Sequence, residues 1–415
     1  MISITEIQDL NWGLSTERKL TDSTVEEVVR PIIEAVRREG DEALLRYAKR
    51  FDRLGELPLQ VPESELAGAA ESLSAEIRGA AETAIANIRE FAQRQLPREC
   101  FEEFSPGRKL GWIIRPLNAV GCYVPSGRYP LPSTLLMTAV LAQTAGVPRI
   151  CVTSPRPSEE ILGCAHLLGI QEVYRVGGAQ AIAAMAYGTE TIQRVDRIVG
   201  PGNAYVAAAR KLLAGEVGID FVAGPTEIMI LAAEGDPKII AADMLAQAEH
   251  DVTASAVFIT TSRALANAVS AELERQLQTL PTRDVARQAI DNGSGIIVVP
   301  SMEFAAELAN LWAPEHLSLH NPSLLPLIQN AGTVFLGQNS PESAGDYAAG
   351  PSHVLPTGGA ARLRGGLSAA DFVKIIAIQE LSPAALKELA PTITTLARAE
   401  GLEAHARAVE VRSVS

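Results

Sequence analysis

The chain has 415 residues, with 36 basic and 49 acidic side chains and a formal net charge of −13. This acidic balance argues against nucleic acid or an anionic membrane as a partner, and a small polar substrate fits it better. The length exceeds what one compact core usually holds, so two or three domains are expected.

The first hundred residues are predicted to be mostly helical. Stretches such as TVEEVVRPIIEAVRREG place apolar residues three and four positions apart, as one face of a helix requires. The N-terminus lacks a signal-peptide pattern, and no stretch reaches the ~18 apolar residues of a membrane span. We therefore expect a cytoplasmic protein, although an organellar form that had lost its leader would look the same. The apolar contexts of the cysteines predict buried, reduced thiols at Cys100, Cys122, Cys151 and Cys164.

Beyond this region, short β-branched runs alternate with amphipathic helices. AVGCYVP, RICVTSP, EVYRV and RIVGP are predicted strands, and EIMILAA, SAVFITTS, GIIVVP and TVFLG form a second set. Helices are predicted between them, including one from about Pro237 to His250 and one from about Arg263 to Leu280. Such alternation implies crossover connections and parallel sheets that are covered on both faces. After about Pro383 the pattern is helical again.

Three glycine-containing turns each follow a predicted strand and precede a helix: YVPSGRYP, VGGAQA and VGPGNAY. Open α/β sheets bind ligands at this position, and helix N-termini accept phosphate there. No G-x-G-x-x-G occurs in the region, so the turns alone indicate either an anionic or nucleotide ligand or ordinary tight turns.

Four separated side chains are candidates for a metal site. Gln247 and His250 are three residues apart on a predicted helix and would share one face, although a polar surface stripe has the same spacing. Asp346 lies in a predicted loop rich in glycine and alanine, where it could instead cap a turn. His405 lies near the C-terminus and could simply be solvated. Together these nitrogen and oxygen donors, without a thiolate, suit a catalytic Zn²⁺ with open positions.

Glu315 and His316 are candidates for acid–base chemistry. His316 could remove an alcohol proton while Glu315 polarises a water molecule. In a regular strand their side chains point to opposite faces, so both can serve one site only if the chain turns there. The alternative is an edge strand with solvated histidines. His320 fits this alternative, and we assign it no role. His353 could exchange a hydrogen bond with a substrate or lie on the surface.

Seven motifs resemble the histidinol dehydrogenase family, in register from about residue 25 onward: GGAQAIAAMAYGT, VDRIVGPGNAYVAAARKLL, GIDFVAGPTEIMIL, DMLAQAEHD, APEHLSL, AGDYAAGPSHVLPT and GLEAHARAV. The resemblance implies an enzyme that uses zinc and NAD to oxidise L-histidinol to L-histidine through the bound aldehyde. It would reduce two NAD in succession, as the last step of histidine biosynthesis. A related zinc- and NAD-dependent dehydrogenase for another small polar alcohol is the alternative, and a non-catalytic zinc protein is a third interpretation.

The resemblance also assigns roles to residues. It implies zinc ligation by Gln247, His250, Asp346 and His405, with His405 donated by the partner subunit of a homodimer with shared active sites. The implied catalytic pair is Glu315 and His316. The implied substrate contacts are Thr226, Gln247, His250, His316, Asp346, His353, Glu400 and His405.

The implied NAD contacts are Tyr123, Gln180 and Asn203. Ser126 stands where the family commonly has glycine, and this departure concerns the fit of NAD. Glu400 and His405 are five residues apart, and a break at the intervening Gly401 would let both face one site.

The expected fold class is α/β, with two incomplete Rossmann-like parallel-sheet domains, helical N-terminal and C-terminal segments, and an intertwined homodimer. The expected divisions are an N-terminal segment 1–24, a discontinuous first α/β domain 25–122 and 226–366, a second, NAD-binding α/β domain 123–225, and a C-terminal tail 367–415 that reaches the partner subunit.

Overall fold

A computed structural model of the chain describes residues 2–10, 23–126, 129–221 and 224–413. The chain divides into two compact units, Met1–Gln95 with Asn118–Phe372 and Leu96–Leu117 with Val373–Ser415. Residues 1 and 11–22 of the expected N-terminal segment lie outside the described residues. The four expected domain divisions stay predictions.

The secondary structure of the described residues alternates between strands and helices. The strands are β1 (Ile4–Glu6), β2 (Cys100–Ser105), β3 (Arg108–Pro116), β4 (Ala119–Tyr123), β5 (Arg149–Thr153), β6 (Glu172–Tyr174), β7 (Arg197–Val199), β8 (Gly218–Ile219), β9 (Glu227–Leu231), β10 (Ser255–Thr260), β11 (Gly295–Val298), β12 (His316–Leu319), β13 (Thr333–Leu336) and β14 (Val373–Leu381). The α-helices are α1 (Ser23–Glu39), α2 (Asp41–Tyr47), α3 (Glu63–Ser72), α4 (Ala75–Gln95), α5 (Pro132–Thr144), α6 (Glu159–Leu167), α7 (Gly178–Tyr187), α8 (Ala204–Leu213), α9 (Pro237–Ala248), α10 (Arg263–Leu277), α11 (Arg283–Gly293), α12 (Met302–Trp312), α13 (Glu342–Tyr347), α14 (Pro383–Ala399) and α15 (Glu403–Ser413).

The first unit contains a six-stranded parallel sheet in the order β1-β11-β10-β9-β12-β13. Its strands are apolar on both faces because each face packs against helices. In β9, Ile228 and Ile230 belong to the core that includes residues of α9 and α10. Met229 and Leu231 alternate with them and belong to the core that includes residues of α12.

The first unit also contains a five-stranded parallel sheet in the order β6-β5-β4-β7-β8. All five residues of its central strand, β4, are buried. Residues of α1, α7 and α8 share one core with β4, β5 and β7. The loops after β4, β5, β6 and β7 therefore lie together at the carboxyl edge of this sheet.

The second unit is built on an antiparallel sheet in the order β14-β3-β2, followed along the chain by α14 and α15. The helical pattern predicted after about Pro383 is confirmed by α14 and α15, and β14, which was not predicted, precedes them. This strand pairs with β3 along its whole length, from Val373 opposite Pro116 to Leu381 opposite Arg108. Its partner lies far away in sequence, so no local pattern identifies it. The expected break after Glu400 is confirmed, since Gly401 has φ 78° and separates α14 from α15.

The predicted strands of both parallel sheets are confirmed, and two predicted helices are shorter than expected. Helix α9 ends at Ala248, so His250 lies beyond it, and α10 ends at Leu277. All four cysteines are free thiols; Cys122, Cys151 and Cys164 are buried and Cys100 is half-buried. Within the part of the chain that the structure describes, no helix combines the length and apolar character needed to cross a membrane.

The edge-strand interpretation of HLSLH was wrong. Strand β12 is flanked by β9 and β13, and all four of its residues are buried. His320 lies just after it and is not solvated as expected, because both of its ring nitrogens are buried without a hydrogen-bond partner among the described residues.

Candidate active site and metal centre

The candidate site begins at the amino ends of two adjacent strands of the six-stranded sheet. His316 opens β12 and is in register with Ile228 of β9, so the residues that precede each strand are neighbours. Glu315 Oε2 accepts hydrogen bonds from Thr226 Oγ1 at 2.6 Å and from the backbone N of Glu227 at 2.8 Å. These bonds hold the Glu315 carboxyl group against the end of the sheet.

The chain turns immediately before Glu315, as a shared site required. Ala313 ends α12 with a left-handed φ of 52°, a strained conformation for a residue with a side chain, and Pro314 follows it. Glu315 thus precedes the regular strand and is not constrained to the opposite face from His316. Glu315 Oε2 lies 3.6 Å from His316 Nδ1.

The hydrogen bonding of His316 determines which ring nitrogen carries the proton. Nδ1 lies 3.0 Å from the backbone O of Glu227, and because a carbonyl only accepts, Nδ1 is the protonated nitrogen. Nε2 is then a lone-pair acceptor, and it is buried with no hydrogen-bond partner among the described residues. Burial lowers the pKa of His316 to about 3, so the ring is neutral near pH 7. The ring also stacks on Phe335 at 6.0 Å.

Three donors of a possible cation site lie next to this imidazole. Ligand atoms of His250, Glu342 and Asp346 all lie within 4.8 Å of one another. Asp346 lies between the two histidines, with Oδ2 3.8 Å from His250 Nε2 and Oδ1 3.9 Å from His316 Nε2. Two of the predicted zinc ligands, His250 and Asp346, therefore come together with the predicted base.

The expectation that Asp346 lies in a loop was wrong. It belongs to the short helix α13, which follows Pro341 and begins at Glu342. Glu342 precedes Asp346 by four residues, so both carboxyl groups lie on one helical face. Sequence reasoning missed Glu342, and the four-residue spacing would have revealed it only if this glycine- and alanine-rich segment had been predicted as a helix.

The Gln247 side chain connects both groups of residues. Its Nε2 donates to Thr226 Oγ1 at 2.8 Å, and the single hydroxyl proton of Thr226 is donated onward to Glu315. The other amide atom then faces Glu342, 2.7 Å from Oε1. With the amide rotated, Gln247 donates to Glu342 at 2.7 Å and accepts from Thr226 Oγ1 at 2.8 Å, which satisfies both neighbours without an ion. An amide oxygen opposite a carboxylate is favourable when a cation or a proton lies between them.

The acidic groups of the site lack a basic partner. Burial raises the pKa of Glu315 and of Glu342 well above the usual range, and it raises the pKa of Asp346 to about 7. No lysine or arginine is among the described residues that line the cavity of about 150 Å³ at this site. Buried carboxyl groups without a counter-charge are costly to ionise, so a bound cation would stabilise their ionised forms. The donor set and its charge therefore fit a metal ion such as Zn²⁺.

His353 lines the same cavity, contrary to the surface alternative. Its Nδ1 donates to the backbone O of Asp346 at 3.0 Å, and its Nε2 lies 3.2 Å from Thr134 Oγ1. Burial lowers the pKa of His353 to about 4, so this ring is also neutral near pH 7. It is thus available to hydrogen-bond a polar ligand in the cavity.

Two predicted site residues lie in the second unit. His405 is exposed on α15, and Glu400 is the C-cap residue of α14. The contribution of His405 and Glu400 to a partner's active site stays a prediction.

The three predicted NAD contacts, Tyr123, Gln180 and Asn203, line one cleft of about 580 Å³ at the carboxyl edge of the five-stranded sheet. Asp52 also lines it and accepts a hydrogen bond from Gln180 Nε2 at 3.1 Å. Sequence reasoning missed Asp52, because it ends a π-helical segment, Ala48–Asp52, that lies 128 positions before Gln180 in the chain. Phe51 and Tyr205 add aromatic surface to the cleft.

Comparison with solved structures shows which folds resemble that of this chain. An acetylating aldehyde dehydrogenase from Geobacillus thermoglucosidasius has a TM-score of 0.50 at 13% identity, covering 89% of this chain and 93% of that chain, a likeness of fold alone. The histidinol dehydrogenase structure from Elizabethkingia anophelis has a TM-score of 0.94 at 36% identity, covering 99% of this chain and 98% of that chain.

Sequence comparisons are more specific. The histidinol dehydrogenase of Thermus thermophilus is 50% identical over 396 residues, covering 94% of this chain and 95% of its own. That of Geobacillus kaustophilus is 47% identical over 419 residues, covering 98% and 99%. The family model described as histidinol dehydrogenase matches residues 15–413. The chain belongs to the histidinol dehydrogenase family.

Proposed function

We propose that the protein oxidises L-histidinol to L-histidine through L-histidinaldehyde, with NAD as the hydride acceptor, in the last step of histidine biosynthesis. Family membership supports this reaction. The structural observation that carries it is the buried, proton-free Nε2 of His316, which lies 3.9 Å from Asp346 inside a cluster of cation donors. A cytoplasmic location accompanies the proposal.

Gln247, His250 and Asp346 would hold Zn²⁺, with His405 of the partner subunit completing the set in a homodimer with shared sites. Bound zinc would act as a Lewis acid that coordinates the nitrogen donors of histidinol. Glu342 lies close to Gln247 and Asp346, and its carboxylate would balance the charge of the ion. Thr226, His353 and Glu400 would contact the substrate.

His316 would act as the base for the alcohol proton. The bond from Nδ1 to the backbone of Glu227 fixes the ring and leaves a lone pair on Nε2, in a residue that lines the cavity. As the hydroxyl proton is transferred to Nε2, a hydride leaves the carbon that carries the hydroxyl group. NAD in the neighbouring cleft would accept this hydride. Asp346 Oδ1 is placed to stabilise the imidazolium that forms.

Glu315 would act in the second oxidation, where water must add to the aldehyde. Its carboxyl group is positioned by Thr226 and the backbone of Glu227, and its pKa is raised by burial. A carboxyl group with a raised pKa binds a proton more strongly once ionised, which makes it a better base toward water. Transfer of a second hydride from the hydrated aldehyde to a second NAD, with release of the two hydroxyl protons, then gives the carboxylate.

The test is NADH formation by zinc-loaded protein with L-histidinol, compared with other small amino alcohols. We expect histidinol to be the preferred substrate. His316→Ala should lower turnover by at least about a hundredfold, as removal of a general base does, without changing the zinc content. His166→Ala, a substitution of an exposed histidine on α6, is the matched control and should leave turnover unchanged. Preference for another alcohol, or full activity of His316→Ala, would refute the proposal.

A further inference from the structure

The N-terminus of α7, in the candidate cofactor cleft, already uses its leading amides within the protein. The backbone N of Gly177 donates to Asp52 Oδ2 at 3.0 Å, and the backbone N of Gly178 donates to Tyr123 Oη at 3.1 Å. A helix N-terminus at the carboxyl edge of a parallel sheet is where a dinucleotide diphosphate commonly binds. Here a carboxyl group occupies that position, so a phosphate cannot use the same amides.

The N-terminus of α8, in the same cleft, is also capped. Asn203 Oδ1 accepts hydrogen bonds from the backbone N of Tyr205 and of Val206, both at 3.1 Å. The leading amides of α7 are thus occupied by Asp52 and Tyr123, and those of α8 by Asn203. The diphosphate of a dinucleotide in this cleft therefore needs a different cationic or hydrogen-bonding partner.

Arg156, in the loop after β5, lines the cleft and has the required chemistry. Its backbone N donates to Ser126 Oγ at 3.0 Å, and its Nη2 donates to Ser126 O at 3.3 Å. Ser126 is itself buried in the loop after β4. In the described ranges Arg156 forms no ion pair, although its charge acts on Asp52 in the same cleft, where it opposes the rise of the Asp52 pKa that burial causes. A guanidinium offers several fixed donors that match phosphate oxygens.

We propose that Arg156, held by Ser126, binds the diphosphate of the dinucleotide in this cleft. The inference rests on the proposed use of NAD and adds the residue that anchors it. A local cation matters here because the whole chain carries a net charge of −13, which opposes the approach of an anionic ligand.

The test compares two probes that differ in the diphosphate. ADP-ribose and adenosine are titrated into the zinc-loaded protein by calorimetry. Arg156→Gln should weaken ADP-ribose binding about tenfold, the size expected for a lost charged hydrogen bond, and leave adenosine binding unchanged. Arg156→Lys should retain part of the affinity for ADP-ribose, because lysine keeps the positive charge but lacks the planar set of guanidinium N–H donors. Ser126→Gly should weaken ADP-ribose about threefold, because it removes one of the two bonds that hold Arg156.

Arg275→Gln is the matched control, since Arg275 is exposed on α10 and does not line the cleft. Equal weakening of ADP-ribose and adenosine by Arg156→Gln would mean a structural role and would overturn the inference, as would unchanged ADP-ribose binding. The failures are separable from that of the proposed function. Wild-type protein that binds ADP-ribose through Arg156 but forms no NADH from histidinol would contradict the proposed reaction alone.

Discussion

The candidate catalytic pocket and the cofactor cleft lie at opposite kinds of sheet edge. The cleft follows the carboxyl ends of the five-stranded sheet, where α/β folds usually bind ligands. Thr226, Glu315 and His316 instead lie at the amino ends of β9 and β12 in the six-stranded sheet. The usual rule therefore locates the cofactor cleft but not the residues proposed to do the chemistry, which depend on an unusual turn and on buried carboxyl groups.

The two regions also differ in volume and charge. The pocket of about 150 Å³ contains buried acids and neutral histidines, whereas the cleft of about 580 Å³ is lined by two arginines, Arg50 and Arg156. A small acidic pocket suits a retained cation and a small substrate, and a large cleft with positive charge suits an anionic cofactor that is exchanged. Substitutions in one region should therefore leave binding in the other unchanged.

The largest expected effect separates metal binding from cofactor binding. Asp346→Asn removes the carboxylate that lies between His250 and His316, and we expect zinc affinity to fall by at least about a hundredfold. ADP-ribose binding should remain as in the wild type. Competition with a zinc chelator measures the first quantity, and calorimetry measures the second. Asp284→Asn, at an exposed position, is the control. An unchanged zinc affinity would remove Asp346 from the site.

The next effect separates the two oxidation steps within the pocket. Glu315→Gln should slow oxidation of histidinaldehyde about a hundredfold, because a general base is lost, and should slow oxidation of the alcohol less. In the wild type, the aldehyde step should accelerate as the pH rises through the raised pKa of Glu315, since only the ionised carboxylate accepts a proton. Single-turnover NADH formation from each substrate, across pH, measures both. Glu307→Gln, exposed on α12, should behave as the wild type. A pH profile for Glu315→Gln that matches the wild type would contradict this role.

A change in the cleft should give the reverse pattern. Asp52→Ala removes the carboxylate oxygen, Oδ2, that accepts hydrogen bonds from both Gly177 N and Gln180 Nε2. We expect the KM for NAD to rise about tenfold, with the zinc content and the KM for histidinol unchanged. Steady-state kinetics with each substrate varied measures the split. A parallel rise in both KM values would indicate that the two regions are coupled.

The smallest effect concerns the support of His316. A Cβ at Gly345, in α13, would lie 2.8 Å from Phe335 Cε1, and the Phe335 ring stacks on His316. Gly345→Ala should therefore destabilise the fold by about 1–3 kcal/mol and lower turnover. Gly79→Ala is the matched control, because a Cβ at Gly79 in α4 meets nothing within 4 Å. It should stabilise the protein by about 0.5–1 kcal/mol. Thermal unfolding of both variants tests the difference.

Features that depend on neighbouring residues in the sequence were predictable, and features that depend on distant residues were not. The strands of both parallel sheets are short β-branched runs, and burial on two faces makes them visible without knowing their partners. Strand β14 was missed because only its pairing with β3 defines it. From the sequence, Glu315 and His316 could share one site only if the chain turned before them. That turn depends on the left-handed conformation of Ala313, which no sequence pattern indicated.

The sequence identified several candidate donors of the site, but the prediction of the residues around them was incomplete. Gln247, His250 and Asp346 were identified by type and family pattern, and the structure brings their side chains to one region. Glu342 and Asp52 were missed, because a buried carboxyl group has no sequence signal until its helix and its neighbours are known. The glycine turns before α7 and α8 left both alternatives open, and the structure shows that amides at both helix N-termini already have partners in the protein.

The most direct test of the central claim is a zinc titration of metal-free protein in which bound zinc and histidinol-dependent NADH formation are measured on the same samples. The account predicts that turnover rises in proportion to bound zinc, and that His316→Ala binds zinc equally while remaining at least about a hundredfold less active. Full turnover without zinc, or turnover of His316→Ala equal to that of the wild type, would contradict it.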